Sequence, residues 1–347
     1  MLIQKLPSPV RGYKRDCEVE RWRSCPENAL TGGILAGAGG FVICLNISVM
    51  YVLIRSGFLV HRRSGIYILA FANLIGDTIQ QLVTVLYAAP ASILQSFLID
   101  GDRRHPFVYF WAYWFLFAWY EGLLIQGTIA IDRLLSVVFP GTARSFTLKN
   151  YTQISVLIYL ISGGMAVWSQ FFSPCCTAYV YYGTFGYAYL GDGFNYSDHF
   201  IDLPLNSSIT ILMFVCYAWI YLCVRRSNRI ASVTDDELSK RRAKEVKFAT
   251  QFSVIASVLA FTWITFRIFP LVIPPEIPQL YSLVPLALTF HCSTNATIFL
   301  TMNSEFSKVY KKTFTWKRDS QEKGQSRYRP STIHTSETSN VPNVPAA

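Results

Sequence analysis

The sequence predicts an all-α membrane protein: a seven-transmembrane helix bundle with its N-terminus outside and a short amphipathic eighth helix. Three observations predict it. The 347 residues are 52% hydrophobic but only 15% charged, where a soluble domain carries about 25% charged residues. Seven apolar runs, at residues 31–54, 66–94, 107–139, 151–172, 203–224, 248–273 and 280–302, are each long enough to cross roughly 30 Å of hydrocarbon as a helix. Lys and Arg then concentrate in alternate loops between the runs, which sets an orientation.

The first, third and fifth loops carry Arg55, Arg62 and Arg63, then Arg144 and Lys149, then Arg225, Arg226, Arg229, Lys240, Arg241, Arg242, Lys244 and Lys247. The loops between them carry only Arg103 and Arg104, and Lys308, Lys311 and Lys312 follow the last run. Odd loops and the tail are therefore expected in the cytoplasm. Lys5, Arg11, Lys14, Arg15, Arg21 and Arg23 in the N-terminal segment oppose this orientation, but the short-loop asymmetry is larger and decides it. The chain then divides into an extracellular segment (1–30), the bundle (31–302), an amphipathic helix (303–312) and a cytoplasmic tail (313–347). No apolar stretch precedes Leu30, so the first span is expected to direct insertion in place of a cleaved signal peptide. Glycosylation sequons at Asn195 and Asn206 lie in or beside the long loop after the fourth run, on the outer side. Those at Asn46 and Asn295 fall within spans and that at Asn150 faces the cytoplasm, so they are expected to stay unmodified.

Several function classes are excluded at this level. The net charge of +10 is distributed between apolar runs and accompanies no nucleic-acid module, so no nucleic-acid partner is expected. The eight cysteines lack zinc spacing, and neither a metal nor a cofactor is expected. No phosphate loop, HExxH or nucleophile elbow is present, so the chain is not expected to be an enzyme. The halves show no inverted repeat, which counts against a secondary transporter.

The most informative stretch runs from Phe107 to Pro140. It carries Glu121 near its middle and ends in I-A-I-D-R-L-L-S-V-V-F-P, with Asp132 and Arg133 adjacent. On physics alone this pair is either an interfacial anchor or a buried functional group costing about 2.5–3.5 kcal/mol per charge. Other motifs follow in order: Leu45-Asn46 in the first run, Leu69-Ala-Phe-Ala-Asn73-Leu in the second, Phe261-Thr-Trp263-Ile-Thr265 in the sixth, and Asn295-Ala-Thr-Ile-Phe299 in the seventh. Phe306 then opens an amphipathic segment to Lys312, expected on the inner leaflet with its lysines near anionic lipid.

Together these residues resemble the rhodopsin-like G-protein-coupled receptors, and in wording are closest to nematode serpentine chemoreceptors of class sx, over about residues 31–312. The resemblance implies a plasma-membrane or sensory-cilium receptor in chemosensation such as olfaction, with a small-molecule ligand outside and a heterotrimeric G protein inside. A peptide receptor is the alternative within the class, and a ligand-gated channel or transporter is the alternative outside it. The resemblance assigns gating to Arg133, held by Asp132 or by the sixth helix at rest, and an aromatic toggle to Trp263. Phe299 takes the place of the family's tyrosine, and Asn73 takes the place of an aspartate that commonly binds sodium; Asp77, one turn on, is a substitute. Asn46, Asn73 and Asn295 are expected to hydrogen-bond one another, or simply to join helices at about 0.6 kcal/mol per bond. The proline that usually follows the toggle is missing, and Pro270 offers a later bend. The usual cysteine at the outer end of the third helix is missing too. Cys17 or Cys25 is therefore expected to bridge to Cys175 or Cys176 as a lid over the ligand site, with free thiols or a Cys17/Cys25 bridge as alternatives.

Intramembrane charges point to the ligand site. Arg267 lies one turn outside Trp263, and Glu121 lies about 18 Å outside Arg133 at 1.5 Å per residue. Arg267 either meets an anionic or carbonyl group of the ligand, or pairs with Glu121 or snorkels outward. Phe115, Leu116, Trp119, Tyr120, Trp263, Phe266 and His291 surround them as an aromatic lining, or as ordinary helix packing. The basic fifth loop is expected to extend the fifth and sixth helices toward the G protein. The Ser/Thr-rich tail, with Ser331, Thr332, Thr335, Ser336, Thr338 and Ser339, is expected to be disordered and phosphorylatable.

Overall fold

The computed structural model describes residues 26–60, 65–99, 105–139, 141, 146–189, 193–230, 236–273 and 278–315. Cys17, Cys25, the N-terminal segment before Pro26, Arg103, Arg104 and the tail from residue 316 lie outside them.

Seven helices among the described residues are long and apolar enough to cross a membrane. They are α1 (Pro26–Arg55), α2 (Ile66–Leu94), α3 (Pro106–Val138), α4 (Leu148–Phe172), α5 (Asp198–Arg226, its helix running on to Ile230), α6 (Asp236–Val272) and α7 (Leu283–Thr301). The eighth, α8 (Ser304–Thr315), follows α7 almost directly. In lipid each backbone polar group must be satisfied within the chain, which leaves helices as the form for such spans. Local chemistry sets several ends. His105 Nδ1 accepts the Phe107 N–H at 3.2 Å, with Pro106 in the first turn where its missing donor costs nothing. Thr147 and Asn150 form a reciprocal capping box at the start of α4.

Two of the three π-helical turns among the described residues are explained by proline. Pro90 and Pro204 would each press their rings on the carbonyl four residues back, at Leu86 and Phe200. Those residues lie within the widened turns Thr84–Ala88 and Asp198–Asp202, so the helix absorbs the clash without ending. α6 continues two residues past Pro270. α5 and α6 extend beyond the fifth and sixth apolar runs in the way the basic loop predicts, leaving 231–235 between them outside the described residues.

α3 is the central post, packed against α2, α4, α5 and α6, while α7 closes the ring against α1, α2 and α6. Among the described residues the core falls into two large apolar clusters and a small third one of Leu35, Ala89 and Phe185. One large cluster gathers around Phe115–Leu123 of α3, and the other around Val49, Leu69, Ile125 and Phe299. Between them lies a polar belt with Asn46, Asp77, Glu121, Gln126 and Asn295 all buried. The long loop after α4 holds an element that the sequence reading did not foresee. It is a two-stranded antiparallel hairpin, β1 (Ala178–Tyr181) and β2 (Gly186–Tyr189), in register Ala178 with Tyr189 through Tyr181 with Gly186. The turn between them uses Phe185 at φ 55°.

α8 is tied to the bundle by aromatic packing. Phe306 is fully buried, with Phe299 at 5.5 Å and Phe58 at 5.6 Å between ring centroids. Asn303 donates to the Tyr67 hydroxyl at 3.2 Å and accepts the Phe306 N–H at 3.1 Å, which sets the turn from α7 into α8. Phe306→Ala is expected to cost about 3 kcal/mol through the cavity it leaves. A thermal unfolding midpoint in detergent equal to wild type would show that α8 is not anchored this way.

Candidate functional site

The site divides into an outer cavity, a polar belt and an inner charged pair, stacked along α3. The outer cavity is enclosed by Phe115, Leu116 and Trp119 of α3, Asp202 of α5, Thr262, Trp263 and Phe266 of α6, Val284, Pro285 and Leu288 of α7, and Ala178, Tyr187, Ala188 and Tyr189 of the hairpin. Its volume is about 40 Å3, where one water needs roughly 10–15 Å3. The space therefore suits a small, largely apolar molecule. Phe115 stacks on Trp119 and on Tyr187, so the hairpin roofs the cavity by direct ring contact.

Of the residues expected to bind ligand, Phe115, Leu116, Trp119, Trp263 and Phe266 line this cavity. The other four lie elsewhere. Tyr120 is fully buried and hydrogen-bonds Ser169 at 3.2 Å. His291 is buried in α7. Arg267 pairs with neither Glu121 nor open space: Nη2 donates to Asp198 at 2.5 Å and to Asp202 at 2.9 Å. The two aspartates are four residues apart and so share one face of the first turns of α5. Asn206, one turn further on, donates to the Asp202 carboxylate at 2.9 Å and to its backbone carbonyl at 2.7 Å. That places Asn206 out of contact with solvent and corrects its reading as a glycosylation site, since its amide is used inside the bundle. Asn195 remains partly exposed. Tyr189, outside the spans, has its hydroxyl pushed well above the usual phenol range by burial first and by the field of Asp202 next. It stays a neutral phenol at the cavity wall.

The polar belt centres on Asp77. Its Oδ2 accepts from Asn73 at 2.9 Å and from Asn295 at 2.8 Å, and Gln126 donates to the Asn73 carbonyl oxygen at 3.2 Å. The expected direct bonds among Asn46, Asn73 and Asn295 are thus replaced by bonds through a carboxylate, the stronger acceptor. Asn46 instead donates to the Cys292 carbonyl at 3.3 Å. Glu121 is fully buried, with neither carboxyl oxygen hydrogen-bonded. It lies against Gly76 of α2, where an added Cβ would sit 1.9 Å from Oε2. Gly76→Ala is therefore expected to cost about 1–3 kcal/mol by overpacking, with most of the loss recovered when Glu121→Ala is added. Unfolding midpoints of the two variants check this; a neutral Gly76→Ala would place Glu121 elsewhere.

At the inner end, Arg133 is 4% and Asp132 7% exposed. Arg133 Nε donates to Asp132 at 3.0 Å, Nη2 makes a second bond to the same oxygen, and the Tyr151 hydroxyl donates to the other carboxylate oxygen. The pair is buried and satisfied, not an interfacial anchor. Phe299 and Trp263 lie between the two ends, packed in the inner and outer clusters respectively. In the hairpin loop, Cys175 is bonded to Cys176. Cys17 and Cys25, the other partners expected for this loop, lie outside the described residues.

A closed ring of seven spans with an outward cavity, a polar belt and an inner Asp-Arg pair defines a seven-helix membrane receptor. The chain belongs to the serpentine-type 7TM GPCR chemoreceptor family Srx, whose model matches residues 34–303. It is thus a G-protein-coupled chemosensory receptor by family, and that family is one of receptors, not enzymes. Its fold is similar to that of squid rhodopsin, with a TM-score of 0.66 at 15% identity over 89% of this chain and 95% of that one. No curated protein matches the sequence significantly.

Sequence reasoning missed Asp198, Asp202, Tyr151 and the hairpin. Asp202 stands one residue before the fifth apolar run, and the Asp198/Asp202 spacing could have marked a shared helical face. The alternation Gly186-Tyr-Ala-Tyr189 was a strand signal within a loop otherwise read by its sequons and cysteines.

Proposed function

We propose that the chain is a plasma-membrane receptor with its N-terminus outside, which binds a small external molecule in the hairpin-roofed cavity and activates a heterotrimeric G protein inside. The observation that carries this reading is the position of Trp263. It is half-buried at the cavity wall and lies on α6, which packs directly against α3, the helix that carries the Asp132-Arg133 pair. A ligand that pushes on Trp263 can shift α6 relative to α3, and Arg133 then exchanges Asp132 for the G protein. Such a shift needs a ligand with different affinity for the two states. The small cavity supports a small molecule over a peptide. Lys308, Lys311 and Lys312 on α8 and Arg225 and Arg226 at the end of α5 support a cytoplasmic assignment of that end, with α8 lying against anionic lipid.

Two measurements test it. Ligand-stimulated nucleotide exchange on a G protein, screened with small volatile and carboxylic compounds, is expected in wild type and to fall to baseline in Arg133→Ala at unchanged surface expression. A ligand-evoked current surviving both that change and G-protein blockade would point to a channel. For orientation, enzymatic deglycosylation is expected to shift the mobility of wild type and of Asn206→Gln, but not of Asn195→Gln. Glycan on neither protein would remove the support that the sequons give to an outer hairpin.

A further inference from the structure

Among the described residues, the outer cavity is lined by a single charged residue. Asp202 lines it, and its neighbours are one carboxylate, Asp198, and one guanidinium, Arg267. Two carboxylates against one guanidinium leave a formal negative charge in excess. Arg267, which a sequence reading would offer to an anionic ligand, has its Nη2 committed to both aspartates and does not line the cavity. Beside Asp202, the fully buried Asn206 leaves its Oδ1 acceptor without a hydrogen-bond partner. Phe115, Trp119, Trp263 and Phe266 supply aromatic faces to the wall. An excess buried charge is costly unless compensated, and ring faces attract cations in desolvated sites.

We propose that this cavity selects a small amine, held as its ammonium between the Asp202 carboxylate and the aromatic wall, and discriminates against carboxylates. The ammonium supplies three donors. One or two meet Asp202, whose oxygens retain unused lone pairs beside their bonds to Arg267 and Asn206. The apolar body fills the space beside Trp263. An anionic ligand of the same size would instead set like charge against Asp202. This inference deepens the receptor reading and rests on it only for signalling; binding stands by itself.

The test uses three probes of one shape and different charge: benzylamine, benzyl alcohol and benzoate. Binding to the purified full-length protein in detergent is read by tryptophan fluorescence and by the thermal unfolding midpoint. Benzylamine is expected to bind saturably and more tightly than benzyl alcohol by about 10- to 100-fold, the range of a charge-assisted hydrogen bond, and benzoate is expected not to bind. Asp202→Asn is expected to remove that preference. Should Asp202→Asn fold poorly with Arg267 left short of a partner, the double change Asp202→Asn/Arg267→Gln neutralises both and is expected to bind benzyl alcohol at least as well as benzylamine. Benzoate binding as tightly as benzylamine, a preference unchanged in either variant, or no benzylamine binding at millimolar concentration would each overturn the proposal. Nucleotide exchange is measured separately. Asp202-dependent benzylamine binding in a protein that never stimulates exchange upholds the amine site and counts against the signalling reading alone.

Discussion

The structure depends on one buried carboxylate, Asp77. A carboxylate at this depth is tolerable only with donors supplied by the protein, and here they come from two helices, Asn73 on α2 and Asn295 on α7. Gln126 extends the junction to α3. Lipid offers no hydrophobic drive for helices to associate with one another, so such polar contacts and close packing must do it. The junction therefore sets the register of three helices at once. With α2, α3 and α7 fixed at mid-depth, the cavity above and the Asp132-Arg133 pair below lie at set distances along the same post.

Much of this could be read in the sequence, and for identifiable reasons. Seven long apolar runs leave few alternatives once backbone satisfaction in lipid is imposed. The Asp-Arg pair, the Asn of α7 and Trp263 carry their resemblance in short local patterns, which survive without any knowledge of contacts. What could not be read were relations between distant segments. Arg267 is visible as an intramembrane charge, but its partners at Asp198 and Asp202 lie 69 and 65 residues away. The expected sign of the ligand changes with them. Asn206 looks like a sequon until its amide is seen on Asp202. The hairpin was hidden because four-residue strands give little periodic signal and a loop between spans is read first for its charges and cysteines.

The buried polar groups are not uniformly satisfied. Glu121 leaves both oxygens without hydrogen bonds against Gly76, while Asp77 one residue along is doubly bonded. Such groups are weak points of the interior. They sit in the belt between the cavity and the charged pair, the layer that α6 and α7 must rearrange if the two ends communicate. A layer held by few bonds needs less energy to take a second arrangement than a dry, interlocked core does.

The hairpin has a consequence for time as well as for affinity. Because Tyr187 stacks on Phe115 and the hairpin lines the cavity beside α3 and α7, movement of the hairpin would change how readily a molecule inside can leave. Occupancy would then outlast the contact energies by the wait for the roof to open, so that residence and potency become separately adjustable. A receptor so built holds the trace of a brief encounter after the surrounding concentration has fallen.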